Sequence, residues 1–352
     1  MTARVAVVLF NLGGPDSLAA VRPFLFNLFN DPAIIGLPGL PRWLLAQLIS
    51  RRREKKAQGI YALMGDRSPI LPNTEAQADA LTAALKSGAG GTEFRAFIAM
   101  RYWHPLTEET VAAVKAYDPT QVILLPLYPQ FSTTTTASSY ALWMRVARVQ
   151  GLTAPHKLVC CYPVEPGFVA ASVQQIRAGL DQAQALAPQA KPLVILSAHG
   201  LPKKVVERGD PYVAQVEAGA AAITQALGLA KEDWVVSYQS RVGPLEWVGP
   251  ATDAVIEQAA RDGLALVVFP IAFVSEHSET LVELDIEYRH LAERNRAAAY
   301  VRVPTVSTHA DFIAGLADLV REALGRDAPV QPGCGQGFCA KASRCARKVG
   351  AQ

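Results

Sequence analysis

The sequence predicts an α/β protein made of two similar halves, each a parallel sheet flanked by helices, and three observations carry that reading. Short β-branched runs alternate with longer alanine-rich stretches of helical period along the 352 residues, as βαβ units require. The run at 267–271 is apolar throughout, which suits a strand covered on both faces. The candidate strands also fall into two sets, separated by a stretch near 163–190.

The first set is 5–10, 96–100, 122–127 and 158–161. Residues 5–10 run straight into Gly13-Gly14-Pro15-Asp16 with no small-residue cleavage site, so they read as a first strand and not as a leader. The second set is 193–198, 234–238, 265–271 and 300–303, and the main expected helices are 74–86, 166–186, 211–227 and 251–261. Pro188 and Pro192 mark 185–192 as the loop entering the second half. The expected domains are 1–165, 166–325 and a cysteine-rich extension, 326–352.

Half the residues are hydrophobic and 18% are charged, a globular and not a disordered composition. The formal charge is +3, and the only short basic run lies between Arg51 and Lys56, so a nucleic-acid partner is not expected. No stretch approaches the roughly 20 apolar residues of a spanning helix. A cytoplasmic location is expected. Of five cysteines, Cys160 and Cys161 are adjacent and Cys334, Cys339 and Cys345 crowd the C-terminal segment; in a reducing compartment that clustering points to metal before disulfides.

Ligands of open parallel sheets bind beyond the carboxyl ends of the strands, which ranks the loops at 11–17, 101–105, 128–139, 199–210, 239–250 and 275–287. The first, Asn11-Leu12-Gly13-Gly14-Pro15, lacks the spacing of a dinucleotide loop, and Pro15 removes a backbone donor. It reads as a tight turn into a helix capped by Asp16 or Ser17. In Ser197-Ala198-His199-Gly200-Leu201-Pro202 a histidine closes an apolar strand, where an imidazole serves as base or ligand. In the 275–288 segment Glu279, Glu283 and Glu287 recur every four residues, which puts three carboxylates on one helix face with no lysine between them.

Together these two segments closely resemble the ferrochelatase family. The resemblance continues in Gly65-Asp66-Arg67-Ser68-Pro69-Ile70, Arg101-Tyr102, Pro126-Leu127-Tyr128-Pro129-Gln130, Arg208-Gly209-Asp210-Pro211-Tyr212, Gln239-Ser240-Arg241-Val242-Gly243-Pro244 and Trp247-Val248-Gly249-Pro250, and so covers about residues 5–320. It implies two Rossmann-like, chelatase-type halves with the active-site cleft between them. The implied enzyme is a lyase that inserts Fe2+ into protoporphyrin IX to form protoheme, the last step of heme biosynthesis. A coproporphyrin III ferrochelatase, a cobalt-inserting relative and, in a different class, an iron-sulfur redox or sensor protein are the alternatives.

Carried over by residue, the resemblance makes His199 and Glu279 the catalytic pair that also meets the substrate iron. His277, Glu283 and Glu287 form a polar relay leading away from the ring. Leu12, Tyr61, Arg101, Tyr102 and Trp247 line the porphyrin pocket. Glu276 stands where the family commonly has aspartate, which is expected to displace a ligand that admits the metal. The chemistry suits these types: two pyrrole protons must leave, and imidazole with carboxylate handles Fe2+ without the trap of a thiolate cluster.

Two further expectations concern surface and tail. Residues 34–56 combine Ile34, Ile35, Leu37, Leu40, Trp43, Leu44, Leu45, Leu48 and Ile49 with Arg42, Arg51, Arg52, Arg53, Lys55 and Lys56, the pattern of an interfacial segment drawn to anionic lipid. A core helix with a basic cap is the other reading. Peripheral contact with the inner face of the membrane is therefore expected; a homodimer is one option for the oligomeric state. Cys334, Cys339 and Cys345 have the spacing C-x4-C-x5-C; some ferrochelatases bind a 2Fe-2S cluster on such an extension with one ligand from the body, here Cys161 or Cys160. Structural zinc is the competing occupant.

Overall fold

The computed structural model describes residues 3–87, 90–241, 243, 245–327 and, for the backbone alone, 330–332. The described residues gather into two units, one holding the chain up to Cys160 with the segment from Leu316, the other Cys161–Gly315.

The first unit runs β1 (Arg4–Asn11), α1 (Val21–Phe29), α2 (Gly39–Ala62), α3 (Ile70–Lys86), β2 (Glu93–Met100), α4 (Thr107–Tyr117), β3 (Gln121–Pro126), α5 (Thr136–Gln150) and β4 (His156–Cys161). Its sheet has the order β2-β1-β3-β4-β9, the last strand being β9 (Val330–Pro332), and β1 to β4 are parallel. Central β1 is buried from Val5 to Asn11, with Val8 in register between Phe97 and Leu124. A strand sandwiched by helices on both faces needs that unbroken apolar run.

The second unit runs α6 (Pro166–Leu186), β5 (Pro192–His199), α7 (Lys203–Glu207), α8 (Tyr212–Leu227), β6 (Trp234–Gln239), α9 (Thr252–Arg261), β7 (Ala265–Phe269), a π-helix (Glu279–Glu287), α10 (Tyr288–Arg294), β8 (Ala299–Arg302) and the start of α11 (Ala310–Gly325). Its sheet is parallel with the order β6-β5-β7-β8. Helix α6 starts where its sequence says it should. Pro166 needs no amide partner at the first helical position, and the Glu165 carboxylate accepts from the Gly167 and Phe168 amides at 2.9 and 2.7 Å.

All eight expected strands and four expected helices are present. Three departures matter. Helix α1 begins after Ala20 and not at a cap on Asp16 or Ser17. Gly13 and Gly14 answer to packing: at Gly13 (φ +84°) a Cβ would lie 3.0 Å from the Trp103 amide, and at Gly14 one would lie 2.5 Å from Ser68 Oγ. The acidic segment is a π-helix, a rare form often found at functional sites.

Candidate active site

In each sheet the first strand is flanked on opposite sides by the next two along the chain: β1 between β2 and β3, and β5 between β6 and β7. Such switch points leave a crevice beyond the strand ends. In the second unit β5 ends on His199, which pairs in register with Gln239, the end of β6. The turn that follows is tight. The Gly200 amide donates to Gln239 O at 2.9 Å, and a Cβ on Gly200 would lie 3.0 Å from that oxygen and 3.2 Å from the Trp247 ring. Trp247 therefore lies against the residue beside His199.

His199 Nδ1 is 2.8 Å from Glu279 Oε2, and His277 Nε2 is 3.9 Å from the same oxygen. Ser240 Oγ donates to Glu279 Oε2 at 3.3 Å and to Glu283 Oε2 at 2.5 Å, while the Ser240 amide donates to Glu283 Oε1 at 2.9 Å. Gln239 Nε2 adds bonds to Glu279 O (3.1 Å) and Glu283 Oε2 (3.0 Å), and the Tyr288 hydroxyl donates to Glu283 Oε1 at 3.1 Å. Ser240 holds its position with φ of 62°, in the left-handed region that side chains other than glycine rarely adopt. Glu283, exposed Glu287, Ser240, Trp247 and Tyr288 line a cavity of about 420 Å³.

The charges set the protonation pattern. Burial raises the Glu279 carboxyl, but His199 by charge and hydrogen bond, with His277 and Ser240, brings it down to about 2. Burial works against charging His199, yet Glu279 and then Glu283 outweigh it and raise its pKa. For His277 burial wins, and its pKa is lowered. Burial and the neighbouring Glu279 charge raise the Glu283 carboxyl against the hydrogen bonds it accepts. Glu279 is thus the permanent anion, and Glu283 the carboxyl readiest to hold a proton.

The family model Ferrochelatase matches residues 4–324. The ferrochelatase of Caulobacter vibrioides strain NA1000 is 53% identical over 353 residues, covering 100% of this chain and 99% of that one. Those of Phenylobacterium zucineum (54%, 94% of each chain) and Rickettsia bellii OSU 85-389 (47%, 97% of this chain and 94% of that one) agree. The chain belongs to the ferrochelatase family. Membership assigns the activity at family level: a lyase that inserts ferrous iron into a porphyrin. Among solved structures, SirB from Bacillus subtilis with Fe3+ superposes with a TM-score of 0.52 at 12% identity, covering 91% of this chain and 95% of that one. That likeness shows the fold alone.

The ferrochelatase pocket residues expected in the first unit sit at its own switch point. Leu12 follows β1 and packs with Tyr61 and Tyr102 in a cluster that includes Val21, Phe24 and Leu25. Tyr61 and Tyr102 are buried, and the Tyr102 hydroxyl donates to Asp31 Oδ2 at 2.7 Å. Arg101 Nη2 meets the same oxygen at 2.6 Å, and its Nε donates to Ser138 Oγ at 3.0 Å. Asp31, Gln239 and Ser240 were not among the expected site residues. For the last two a signal existed, since they close a strand whose end the switch-point rule favours. Asp31 had none, because the side chains it meets, Arg101, Tyr102 and Ser138, lie 70 or more positions away.

Of the apolar side chains expected at this surface, Ile34, Leu37, Leu40, Trp43, Leu44 and Leu48 are exposed, Leu40 at 70%, while Ile35, Leu45 and Ile49 are half-buried. Arg42 instead donates to Asn30 O and Leu37 O at 2.9 and 2.7 Å, a local staple. No described helix is long and apolar enough to cross a membrane. Cys160 and Cys161 are buried at the end of β4, and Cys334, Cys339 and Cys345 lie outside the described residues. Among the described residues no group of three or more His, Cys, Asp or Glu side chains is placed to hold a metal.

Proposed function

We propose that His199 and Glu279 carry the insertion of Fe2+ into protoporphyrin IX, His199 taking the pyrrole protons and Glu279 stabilising the imidazolium that results. The observation that carries this is the 2.8 Å contact between His199 Nδ1 and Glu279 Oε2 at the carboxyl end of β5. With Glu279 ionised, Nδ1 bears the hydrogen and donates it, so Nε2 keeps its lone pair for an incoming proton. The balance is simple: the ring loses two N–H protons, Fe2+ takes their place, and no electrons are exchanged. Protons pass from the pair towards Glu283, which shares the Ser240 hydroxyl with Glu279, and on to Glu287 at the cavity; His277 keeps a neutral ring beside them. Leu12, Tyr61, Arg101, Tyr102 and Trp247 are assigned to the walls that hold the macrocycle, and a wall of rigid aromatic groups favours the distorted ring that metal insertion needs.

The test is anaerobic insertion measured with protoporphyrin IX and coproporphyrin III side by side. Turnover of protoporphyrin IX and its loss in folded His199→Ala are the expected results. Use of coproporphyrin III alone would reassign the substrate, and full turnover in His199→Ala would remove the histidine from the chemistry.

Two finer assignments complete the reading. The exposed apolar side chains of 34–48, with exposed Arg51, Arg52, Arg53, Lys55 and Lys56 further along α2, make a peripheral seat on an anionic membrane surface, at the inner face of a cytoplasmic enzyme. The tail holds a 2Fe-2S cluster through Cys334, Cys339, Cys345 and Cys161. The residues fit. A cluster of this type needs four thiolates, and β9 lies beside β4 in the sheet, which brings the chain alongside the Cys160-Cys161 strand just before Cys334. Neighbouring strand residues point to opposite faces, so only one of these two buried cysteines would join the cluster. When bound, the cluster supplies structural or redox-sensing chemistry.

A further inference from the structure

The π-helix poses a question its own residues do not answer. It continues directly into α10, an ordinary α-helix, and the lower-cost register for the whole stretch is the α one. In that register the Tyr288 amide would donate four residues back, to the Leu284 carbonyl. It donates instead to Glu283 O, five residues back. The Leu284 carbonyl is tied to the strand beside it: the buried Tyr300 hydroxyl donates to it at 2.5 Å.

Tyr300 lies on β8, and two residues further along the same face of that strand is Arg302. Arg302 spans the segment. Its Nη1 donates to Glu276 Oε1 at 2.6 Å, ahead of the π-helix, and its Nη2 lies 3.5 Å from Asp285 Oδ2, inside it. Glu276 Oε1 also accepts from the Thr305 amide at 3.0 Å, and Asp285 Oδ1 from Arg289 Nη2 at 2.6 Å. The Arg302 side chain is only 10% exposed, and a planar guanidinium joining two carboxylates is a fixed spacer in a way a lysine is not. Glu276 is held by this spacer.

We infer that strand β8 is the template of the π-helix: Tyr300 draws the Leu284 carbonyl toward the strand and out of line with the Tyr288 amide, Arg302 fixes the span from Glu276 to Asp285, and together they place Glu279 and Glu283 on His199 and Ser240. Tyr300 and Arg302 are positioning residues. The inference rests on the reading of His199 and Glu279 as the acid–base pair, because only then does a misplaced acidic row slow the chemistry. Removal of the template lets Tyr288 take the Leu284 carbonyl, which turns the carboxylates away from Ser240 and leaves the ring-binding walls intact.

Tyr300→Phe removes one hydroxyl at constant shape, and Arg302→Lys keeps the charge but loses the fork. For each variant, kcat and KM for protoporphyrin IX are measured, a crystal structure of Tyr300→Phe is solved, and Glu279→Gln is assayed in parallel. The expected result is a kcat at least ten times lower with porphyrin KM within twofold in both variants, and a Tyr288 amide bonded to Leu284 O in Tyr300→Phe. An unchanged kcat, a loss confined to KM, or a Tyr288 amide still on Glu283 O overturns the inference. A Glu279→Gln variant with unchanged kcat would instead overturn the acid–base reading, while the register seen in the crystal would still decide what Tyr300 does.

Discussion

Replacing Glu279 by Gln keeps the size of the side chain and removes its charge, and with the charge goes a charge-assisted hydrogen bond of 2.8 Å to His199. Bonds of that kind contribute roughly 1.5–3 kcal/mol. Both side chains retain solvent contact, 38% for His199 and 26% for Glu279, so the lower half of that range applies, about 1.5–2 kcal/mol. At about 1.4 kcal/mol per factor of ten, kcat should fall roughly 10- to 30-fold. The walls proposed for the porphyrin do not include Glu279, so its KM should move little. The pH dependence carries a sign as well. In the native site burial alone would lower the His199 pKa, and Glu279 is the main influence that raises it; without the carboxylate, burial prevails and the ring stays neutral to lower pH. The acid limb of the kcat/KM profile, which reports protonation of the base, should therefore shift to lower pH. Steady-state insertion of Fe2+ into protoporphyrin IX, followed anaerobically over pH, measures both. A limb that stays in place or moves to higher pH would refute the pairing, and so would a variant changed only in KM.

Other outcomes test the fold and the finer assignments. A Cβ on Gly167 would run into the Asp311 carbonyl and lie 3.1 Å from Gly315 Cα, so Gly167→Ala should cost about 3 kcal/mol by overpacking and lower Tm by roughly 6–12 °C; a calorimetric scan without a shift would contradict the close approach of α6 to the start of α11. Glu165→Ala removes the carboxylate that caps α6 and should cost about 1 kcal/mol in urea unfolding. Leu40→Glu with Trp43→Ser should abolish sedimentation with anionic vesicles and leave insertion in detergent intact, whereas equal binding by both proteins would exclude this face as the seat. Anaerobically purified protein should be red-brown with about two iron and two sulfide per chain, and Cys334→Ser should lose both; colourless protein holding one zinc would replace the cluster with a structural metal.

Much of this was legible in the sequence. The eight strands could be read because parallel strands are buried on both faces, so composition alone marks runs such as those of β1 and β7. His199 could be read because the end of an apolar strand is where a parallel sheet presents its chemistry. Helix α5 was hidden by its start at Thr136 in a Ser/Thr run that looks like loop, and α2 by large apolar side chains that face outward over its first half, while its buried side carries Ala46, Ser50 and Tyr61.

The sequence by itself determined which residue types meet at the strand ends: an imidazole, a row of carboxylates four apart, and the glycines that let Trp103, Ser68 and Trp247 come close. Only the tertiary structure decided how the carboxylates are aimed and which cations serve elsewhere. Four-residue spacing suits an α-helix and a π-helix alike, and the choice falls to Tyr300 and Arg302, on a strand that follows the segment. Arg101 is paired with Asp31, 70 positions earlier, and Arg42 with backbone carbonyls. Period and composition report what a residue does for its own helix or strand; they hold no record of a hydrogen bond made across the fold, because that bond depends on distance in space and not on distance along the chain.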